Sequence, residues 1–180
     1  LFVAFAAASL RAPRRLHAEP AHLTAAQASS GSASAAMAAT QILYQDQFEV
    51  KEASRKFDKV TRVQCRLTEE GYDMTLDLDV NTDVWPLDGG EQFTFTLAST
   101  LSPEGEPDTG SYDQERKESL LDKYEYAMYG KIYKWRQEKP KEAVEVYVSF
   151  GGLLMRLRGD SRHLQKLQLD SRIYLLMRKI

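Results

Sequence analysis

The chain has 180 residues, of which 43% are apolar and 28% are charged, which is the composition of an ordinary globular domain. A formal net charge of -2 argues against a general electrostatic hold on nucleic acid, and a single cysteine excludes an intrachain disulfide and a thiolate zinc site. No stretch approaches the roughly 18 consecutive apolar residues of a membrane span, so no membrane association is predicted.

Residues 1–36 form a leader that is rich in alanine and serine and carries three arginines and one acid, Glu19. Because large apolar side chains are few, this stretch cannot build a core, and it is predicted to be disordered. Its composition is typical of an organelle transit peptide. The alternative is a true start at Met37, directly before patterned sequence, which would make the leader an artefact. The folded domain is predicted over 37–180.

From Leu43 onward, apolar and polar residues alternate, which predicts half-buried β-strands. The apolar positions of the eight predicted strands are Tyr44, Phe48 and Val50; Val63, Cys65 and Leu67; Tyr72, Met74, Leu76, Leu78 and Val80; Phe93, Phe95 and Leu97; those between Tyr124 and Trp135; Val144, Val146, Val148 and Phe150; Leu153, Met155 and Leu157; and Ile173, Leu175 and Met177. Glycine pairs at 89–90 and 151–152 predict tight turns. Eight short strands with such turns favour an all-β fold, a closed or nearly closed antiparallel barrel, since closure removes exposed edges.

Two insertions interrupt the alternation. The stretch Leu101–Asp122 contains prolines, glycines and seven acidic residues against two basic ones. A polar connection of this length is uncommon inside a compact domain, so the stretch is predicted to be a mobile acidic loop or a loop that a partner orders. Single helical turns are predicted at Ser119–Lys123 and Ser161–Gln165.

Reactive side chains are few in the predicted domain. Asp73, Asp77 and Asp79 share one strand face, where paired carboxylates could hold Mg²⁺ or act as acid and base. The outer face of a strand is normally polar, however, so these aspartates need no functional role to explain them. His163 is the domain's only histidine, and no nucleophile motif accompanies it. The sequence therefore predicts no catalytic residue, no metal site and no cofactor.

Two groups of residues on the polar strand faces are candidates for binding. Lys131, Tyr133 and Trp135 alternate with other residues, and aromatic side chains interleaved with basic ones suit single-stranded nucleic acid. The candidate partner-binding residues are Leu154, Arg156, Arg158, Arg172, Tyr174 and Leu176. If their two strands are neighbours, the apolar members form a patch rimmed by arginine, as in protein-docking surfaces. Any exposed strand face carries Arg, Lys and Tyr, so both groups remain hypotheses.

Longer strings of residues resemble one known family. The strings Ser149–Leu157, Gly159-Asp160 and Asp170–Lys179 closely resemble the C-terminal half of a small common subunit, the eighth by size, of the eukaryotic nuclear RNA polymerases I, II and III. Further agreement lies at Ile42–Val50, Lys56–Val60, Leu78–Asn81 and Tyr124–Lys131, so the resemblance covers about 41–180 in order.

The resemblance implies an eight-stranded barrel of oligonucleotide-binding (OB) type, made of two half-barrels. It also implies a non-catalytic structural role in the nucleus, docked on the largest polymerase subunit and its neighbours, with no small-molecule substrate. Direct contact with nucleic acid is suggested only by the barrel type, and fold alone does not establish function. Two alternatives stay open: a free barrel that binds single-stranded nucleic acid, and a small hydrolase that uses Asp77 or Asp79.

Overall fold

The computed structural model describes residues 5–6, 42–68, 73–106, 118–138 and 143–180, and strands dominate these ranges. The strands are β1 (Phe5–Ala6), β2 (Ile42–Phe57), β3 (Val60–Leu67), β4 (Thr75–Asn81), β5 (Gln92–Ala98), β6 (Tyr126–Glu138), β7 (Ala143–Phe150), β8 (Leu153–Asp160) and β9 (Arg172–Lys179). A 3₁₀ turn spans Leu120–Lys123, and a short helix, α1, spans Ser161–Leu164.

Eight strands close into an antiparallel barrel in the order β6-β7-β8-β4-β3-β2-β5-β9, and pairing of β9 with β6 completes the ring. The predicted all-β, eight-stranded barrel is confirmed. The ninth strand, β1, pairs with the first two residues of β6. The rest of the predicted leader lies outside the described residues, as do residues 107–117 of the predicted acidic loop.

The inward-facing positions fill the barrel with apolar side chains, as the alternation predicts. Phe48 lies between two aromatic rings of β5, with its centroid 5.4 Å from that of Phe95 and 6.3 Å from that of Phe93. At one end of the barrel, Trp85 stacks on Tyr126 with centroids 5.4 Å apart. Burial of these large rings is a main contribution to the free energy of folding.

Both predicted helical turns are present, and each has a polar cap. The Ser119 hydroxyl accepts from the N–H of Leu121, and the Asp122 carboxylate accepts from the N–H of Ser119, which is a capping box. Asp160 accepts from the N–H of Arg162 at the start of α1. The Arg162 guanidinium and this N–H lower the pKa of Asp160 to about 2. The glycine pair at 151–152 has positive φ values of 64° and 114°, which confirms the predicted tight hairpin.

The connection between β5 and β6 covers part of the barrel's outer surface. Its two described ends meet where the N–H of Leu120 donates to the carbonyl of Leu101 at 3.0 Å. Tyr124 then donates its hydroxyl to Thr96 at 3.0 Å. Thr96 pairs with Leu176 of β9, and both residues are fully buried although the strand alternation turns them outward. The connection therefore shields this part of the β5–β9 surface from solvent.

Candidate docking surface

A row of aromatic and basic side chains crosses the outer surface of three adjacent strands. The tyrosine strip, as we call it, consists of Tyr129, Lys131 and Tyr133 on β6, Tyr147 on β7, and Arg172 and Tyr174 on β9. The strand register places Tyr129 opposite Tyr174 and Lys131 opposite Arg172. Since directly paired residues point to the same side of a sheet, these side chains form one surface.

The two tyrosines at one end of the strip hold each other in place. The rings of Tyr129 and Tyr174 have centroids 4.7 Å apart and are tilted by 39°. Arg172 donates through Nη1 to the Tyr129 hydroxyl at 3.4 Å, and Lys131 forms an ion pair with Asp170 at 2.7 Å. Tyr129 remains 40% exposed. The result is an accessible aromatic surface in a fixed geometry.

A β-bulge separates Trp135 from the two residues predicted to share its face. The β6–β7 register shifts between Ile132 and Lys134, so that Trp135 is paired with Val146. Val146 points into the barrel and is fully buried, and its partner must point to the same side. The prediction of one face carrying Lys131, Tyr133 and Trp135 is therefore wrong for Trp135, although Trp135 is itself 39% exposed.

Beyond the bulge, the strip continues onto β7. The rings of Tyr133 and Tyr147 have centroids 6.2 Å apart, and Lys134 Nζ lies 5.1 Å from the centre of the Tyr147 ring. Such a cation–π contact fixes the ammonium group over the aromatic face. Tyr147 donates its hydroxyl to Glu145 at 2.9 Å. Burial raises the pKa of Tyr147, and the hydrogen bond and negative charge of Glu145 raise this pKa further.

The apolar patch predicted from Leu154, Tyr174 and Leu176 does not form. Strand β8 lies between β7 and β4, whereas β9 lies between β5 and β6, so the two strands are not neighbours. Leu176 is fully buried, because the connection between β5 and β6 covers its part of the surface. Its predicted place on an exposed surface is wrong.

Leu154 does lie on the exterior, at the border of the tyrosine strip. It is 39% exposed and pairs with Ser149 of β7. Ser149 in turn pairs with Lys131 of the strip. Of the six residues predicted to bind a partner, Arg172 and Tyr174 lie in the strip and Leu154 lies beside it.

The remaining two, Arg156 and Arg158, belong to a second outer surface. This charge network consists of Arg62 on β3, Asp77 and Asp79 on β4, Glu145 on β7, and Arg156 and Arg158 on β8. Arg156 donates through Nε to Asp77 at 2.6 Å, and a guanidinium nitrogen of each β8 arginine lies about 4 Å from Glu145, at 3.9 and 4.0 Å. Positive and negative side chains thus alternate across neighbouring strands.

Asp79 has the tightest set of partners in the charge network. Arg62 donates to both of its carboxylate oxygens, at 2.6 and 2.7 Å, and the N–H of Leu154 donates to it at 3.2 Å. The hydrogen bond to Asp79 raises the pKa of Arg62. Each carboxylate of the predicted aspartate pair is therefore held by an arginine. Among the residues that the structure describes, no three His, Cys, Asp or Glu side chains are grouped closely enough to hold a metal ion.

The other side chains with reactive chemistry lie apart from both surfaces. Cys65 is buried inside the barrel, and desolvation together with the charge of Asp77 raises the pKa of its thiol to about 12. His163 is exposed on α1. In the described ranges, no helix has both the length and the apolar character that crossing a membrane requires.

Sequence reasoning missed Tyr129 and Tyr147 as members of the strip. The sequence does carry a signal for Tyr129. Tyr126, Met128 and Ile132 lie at even-numbered positions of β6, which point to one side of the strand, and all three are buried. Tyr129 lies at an odd-numbered position and must therefore point outward. For Tyr147 the alternation gives an outward position, but its contact with Tyr133 depends on the bulge in β6, which the sequence does not mark.

Comparison with known proteins places this barrel in a family. A family model described as RNA polymerase Rpb8 matches residues 45–179. An Arabidopsis thaliana protein named "DNA-directed RNA polymerases II, IV and V subunit 8B" is 47% identical over 148 residues, which are 80% of this chain and 100% of that protein. A Dictyostelium discoideum protein named "DNA-directed RNA polymerases I, II, and III subunit rpabc3" is 49% identical over 144 residues, 78% of this chain and 99% of that protein. The Saccharomyces cerevisiae subunit RPABC3 of the same three polymerases is 37% identical over 145 residues, 76% of this chain and 97% of that protein.

Proposed function

The chain belongs to the RNA polymerase Rpb8 family, and on this premise we propose that it is a non-catalytic structural subunit of DNA-directed RNA polymerases I, II and III. It works in the nucleus, where it docks on the largest subunit and on neighbouring subunits and so supports transcription. Polymerase II is common to the names of the Arabidopsis, Dictyostelium and yeast relatives, so it is the first complex in which to look for this chain.

One observation carries the proposal: the match extends over the whole of the relatives. It covers 100% of the Arabidopsis protein and 99% of the Dictyostelium protein. This chain therefore contains a counterpart of nearly every residue of those two polymerase subunits. Residues 45–179, which the family model matches, run from within β2 to the end of β9 and include every residue of the tyrosine strip and the charge network.

The tyrosine strip has the chemistry of a docking surface. Tyrosine and arginine are the residue types, with tryptophan, that most often dominate binding energy at protein interfaces. The contact between the rings of Tyr129 and Tyr174 and the hydrogen bond from Arg172 hold these side chains before a partner arrives, so that binding costs less conformational entropy. Leu154 adds an exposed apolar side chain at the border.

The state of the acidic and thiol groups supports a non-catalytic role. Asp77 and Asp79 are each engaged by an arginine, so neither carboxylate is free to bind a substrate or a metal ion. A thiol with a pKa of about 12 is protonated near neutral pH and is a poor nucleophile. These observations also disfavour a hydrolase that uses the aspartates.

A free barrel that binds single-stranded nucleic acid is less well supported. Of its three predicted contact residues, Trp135 faces away from the other two, and the charge of Lys131 is shared with Asp170. The net charge of -2 supplies no general attraction to phosphates.

Purification of an affinity-tagged chain from cells that express it tests the proposal. The wild-type chain should co-elute in stoichiometric amount with the large polymerase subunits. A double variant, Tyr129→Glu with Arg172→Glu, should remain folded but lose them, because it places two negative charges in the strip. Lys166→Glu is the control, since it reverses an exposed charge away from the strip. Elution of a folded wild-type chain alone would overturn the proposal, and salt-sensitive oligonucleotide binding would favour the alternative.

A further inference from the structure

A hairpin arm extends past the barrel wall where β2 outruns its neighbour β5. Strand β5 pairs with β2 only from Ile42 to Glu49, whereas β2 continues to Phe57 beside β3. Backbone hydrogen bonds between Val50 and the Gly90-Glu91 turn, at 2.8 and 2.9 Å, mark the last contact on the β5 side. We define the hairpin arm as residues 51–60. Two register shifts in its β2 strand bend it away from the regular ladder.

Phe57 stands at the tip of the hairpin arm with its ring in solvent. It is 74% exposed, more than any other large apolar side chain among the described residues. Its cross-strand partner Val60 is half-buried. Burial of an exposed phenylalanine ring against a partner lowers the free energy, so this ring favours association.

The tip that carries Phe57 is held from both sides. Arg55 donates to the carbonyl of Asp58 at 2.7 Å and to the carbonyl of Phe57 at 3.5 Å. On the other side, the carbonyl of Lys59 accepts from the N–H of Thr82 at 3.1 Å, and Lys59 Nζ lies 2.9 Å from Asp83. Because these bonds already order the turn, a partner that binds the ring loses less entropy than one that binds a loose loop.

The charges around the tip decide what kind of partner fits. The hairpin arm holds four basic and two acidic side chains. Three of the basic ones form ion pairs, with Glu49, Asp58 and Asp83, so little free positive charge remains to attract a phosphate backbone. Arg55 and Lys59 are engaged in holding the turn, and Lys56 is exposed next to Phe57. The complementary surface is a protein pocket with an apolar floor for the ring and a carboxylate at the rim for the Lys56 ammonium.

We propose that Phe57 anchors a second docking element, the hairpin arm, which inserts into such a pocket on another polymerase subunit. The inference rests on the proposed function, but none of the residues of the arm belongs to the tyrosine strip. Phe57 and Lys56 act as contact residues, and Arg55 and Lys59 act as positioning residues that fix the turn.

Site-specific photo-crosslinking in the assembled polymerase tests the contact. A photoreactive phenylalanine analogue replaces Phe57 in the full tagged chain, and the isolated complex is irradiated. The same analogue at Lys166, which is exposed outside both docking elements, is the control. The expected result is a crosslink from position 57 to one polymerase polypeptide and none from position 166. Crosslinks from position 57 only to nucleic acid, or none to any polymerase polypeptide, would overturn the inference.

A pair of variants measures the contribution of the ring. Phe57→Ala should speed dissociation of the tagged chain from the immobilised polymerase by about 10-fold or more, as for an interface anchor, whereas Phe57→Tyr should stay within about 3-fold of wild type. Both isolated variants should keep the wild-type melting temperature, because the ring is exposed in the free protein. If the wild-type chain co-purifies and Phe57→Ala dissociates equally slowly, this inference fails alone. If the wild-type chain does not co-purify, the proposed function itself fails.

Discussion

The tyrosine strip and the charge network occupy the outer surface of one barrel and follow the same alternation, yet their side chains are engaged to different degrees. In the charge network, side chains on β3, β4, β7 and β8 satisfy one another, and Asp79 and Glu145 are only 6% and 7% exposed. In the strip, the rings of Tyr129 and Tyr133 stay 40% and 47% exposed. The difference teaches that alternation identifies outward residues, whereas the strand register decides whether those residues are used within the fold or remain accessible to a partner.

The two surfaces should therefore respond differently to substitution. Removing one member of the charge network leaves a nearly buried charge without its partner, which lowers stability. Removing a member of the strip leaves an exposed position with little change in stability, but it removes binding energy if the strip is an interface. The variants below compare the two effects, and they are ordered by expected size.

Leu176→Ala should lower the free energy of unfolding by about 3 kcal/mol, because the side chain is fully buried beneath the connection between β5 and β6. Denaturant titration measures this change. Leu154→Ala is the matched control at a 39% exposed outward position and should cost less than about 1 kcal/mol. Equal losses in the two variants would contradict the distinction between covered and open parts of the outer surface.

Tyr129→Ala should weaken association with the polymerase by about 2 kcal/mol, roughly 30-fold, with a loss of stability below about 1 kcal/mol. Competition between tagged and untagged chains for the complex measures the binding change, and thermal denaturation measures stability. Tyr129→Phe keeps the ring and should bind nearly as well as wild type. A Tyr129→Ala chain that competes as effectively as wild type would show that the strip is not the docking surface.

Arg62→Met should lower the free energy of unfolding by about 1.5 kcal/mol, because it leaves the Asp79 carboxylate without its two charged hydrogen bonds. The value is below that of a fully buried pair, since the Arg62 side chain is 37% exposed. Arg66→Met, on the same strand but exposed, should change stability by less than about 0.5 kcal/mol. Incorporation of folded Arg62→Met into the polymerase should be unchanged, and its loss would show that the charge network also binds.

Tyr147→Phe should lower the free energy of unfolding at neutral pH by about 1 kcal/mol, because it removes the hydrogen bond to Glu145. The pKa of Tyr147 is raised by burial and by Glu145, so the folded state holds the phenolic proton more tightly than the unfolded state does. The stabilisation is fully present below the unfolded pKa of about 10 and is lost as pH rises through the folded pKa. Ultraviolet titration should lose one late-ionising tyrosine in Tyr147→Phe and keep a second one, Tyr126, whose pKa is also raised by burial.

The strands and the barrel could be predicted from the sequence, because alternation is a local property that each strand shows on its own. The hairpin at 151–152 and the single helical turns also follow from local chemistry, namely glycine conformation and the capping residues Ser119 and Asp160. These features need no knowledge of what lies across the barrel.

The composition of the candidate surface could be predicted only in part, because it depends on contacts that are distant in sequence. Strand order places β8 and β9 apart, which separates Leu154 from Tyr174. A bulge near Tyr133 places Trp135 on the opposite face of the sheet, where it is still 39% exposed, and a connection from elsewhere in the chain buries Leu176. The local alternation of apolar and polar residues indicates none of these three features. The prediction of outward positions is therefore right for Arg172 and Tyr174 but wrong for Leu176.

A cryo-electron microscopy map of the polymerase isolated through the tagged chain tests the central claim most directly. The account predicts that Tyr129, Arg172 and Tyr174 are buried against another subunit while the charge network keeps its internal pairs. A map in which the tyrosine strip faces solvent and the barrel is held by the charge network would contradict it.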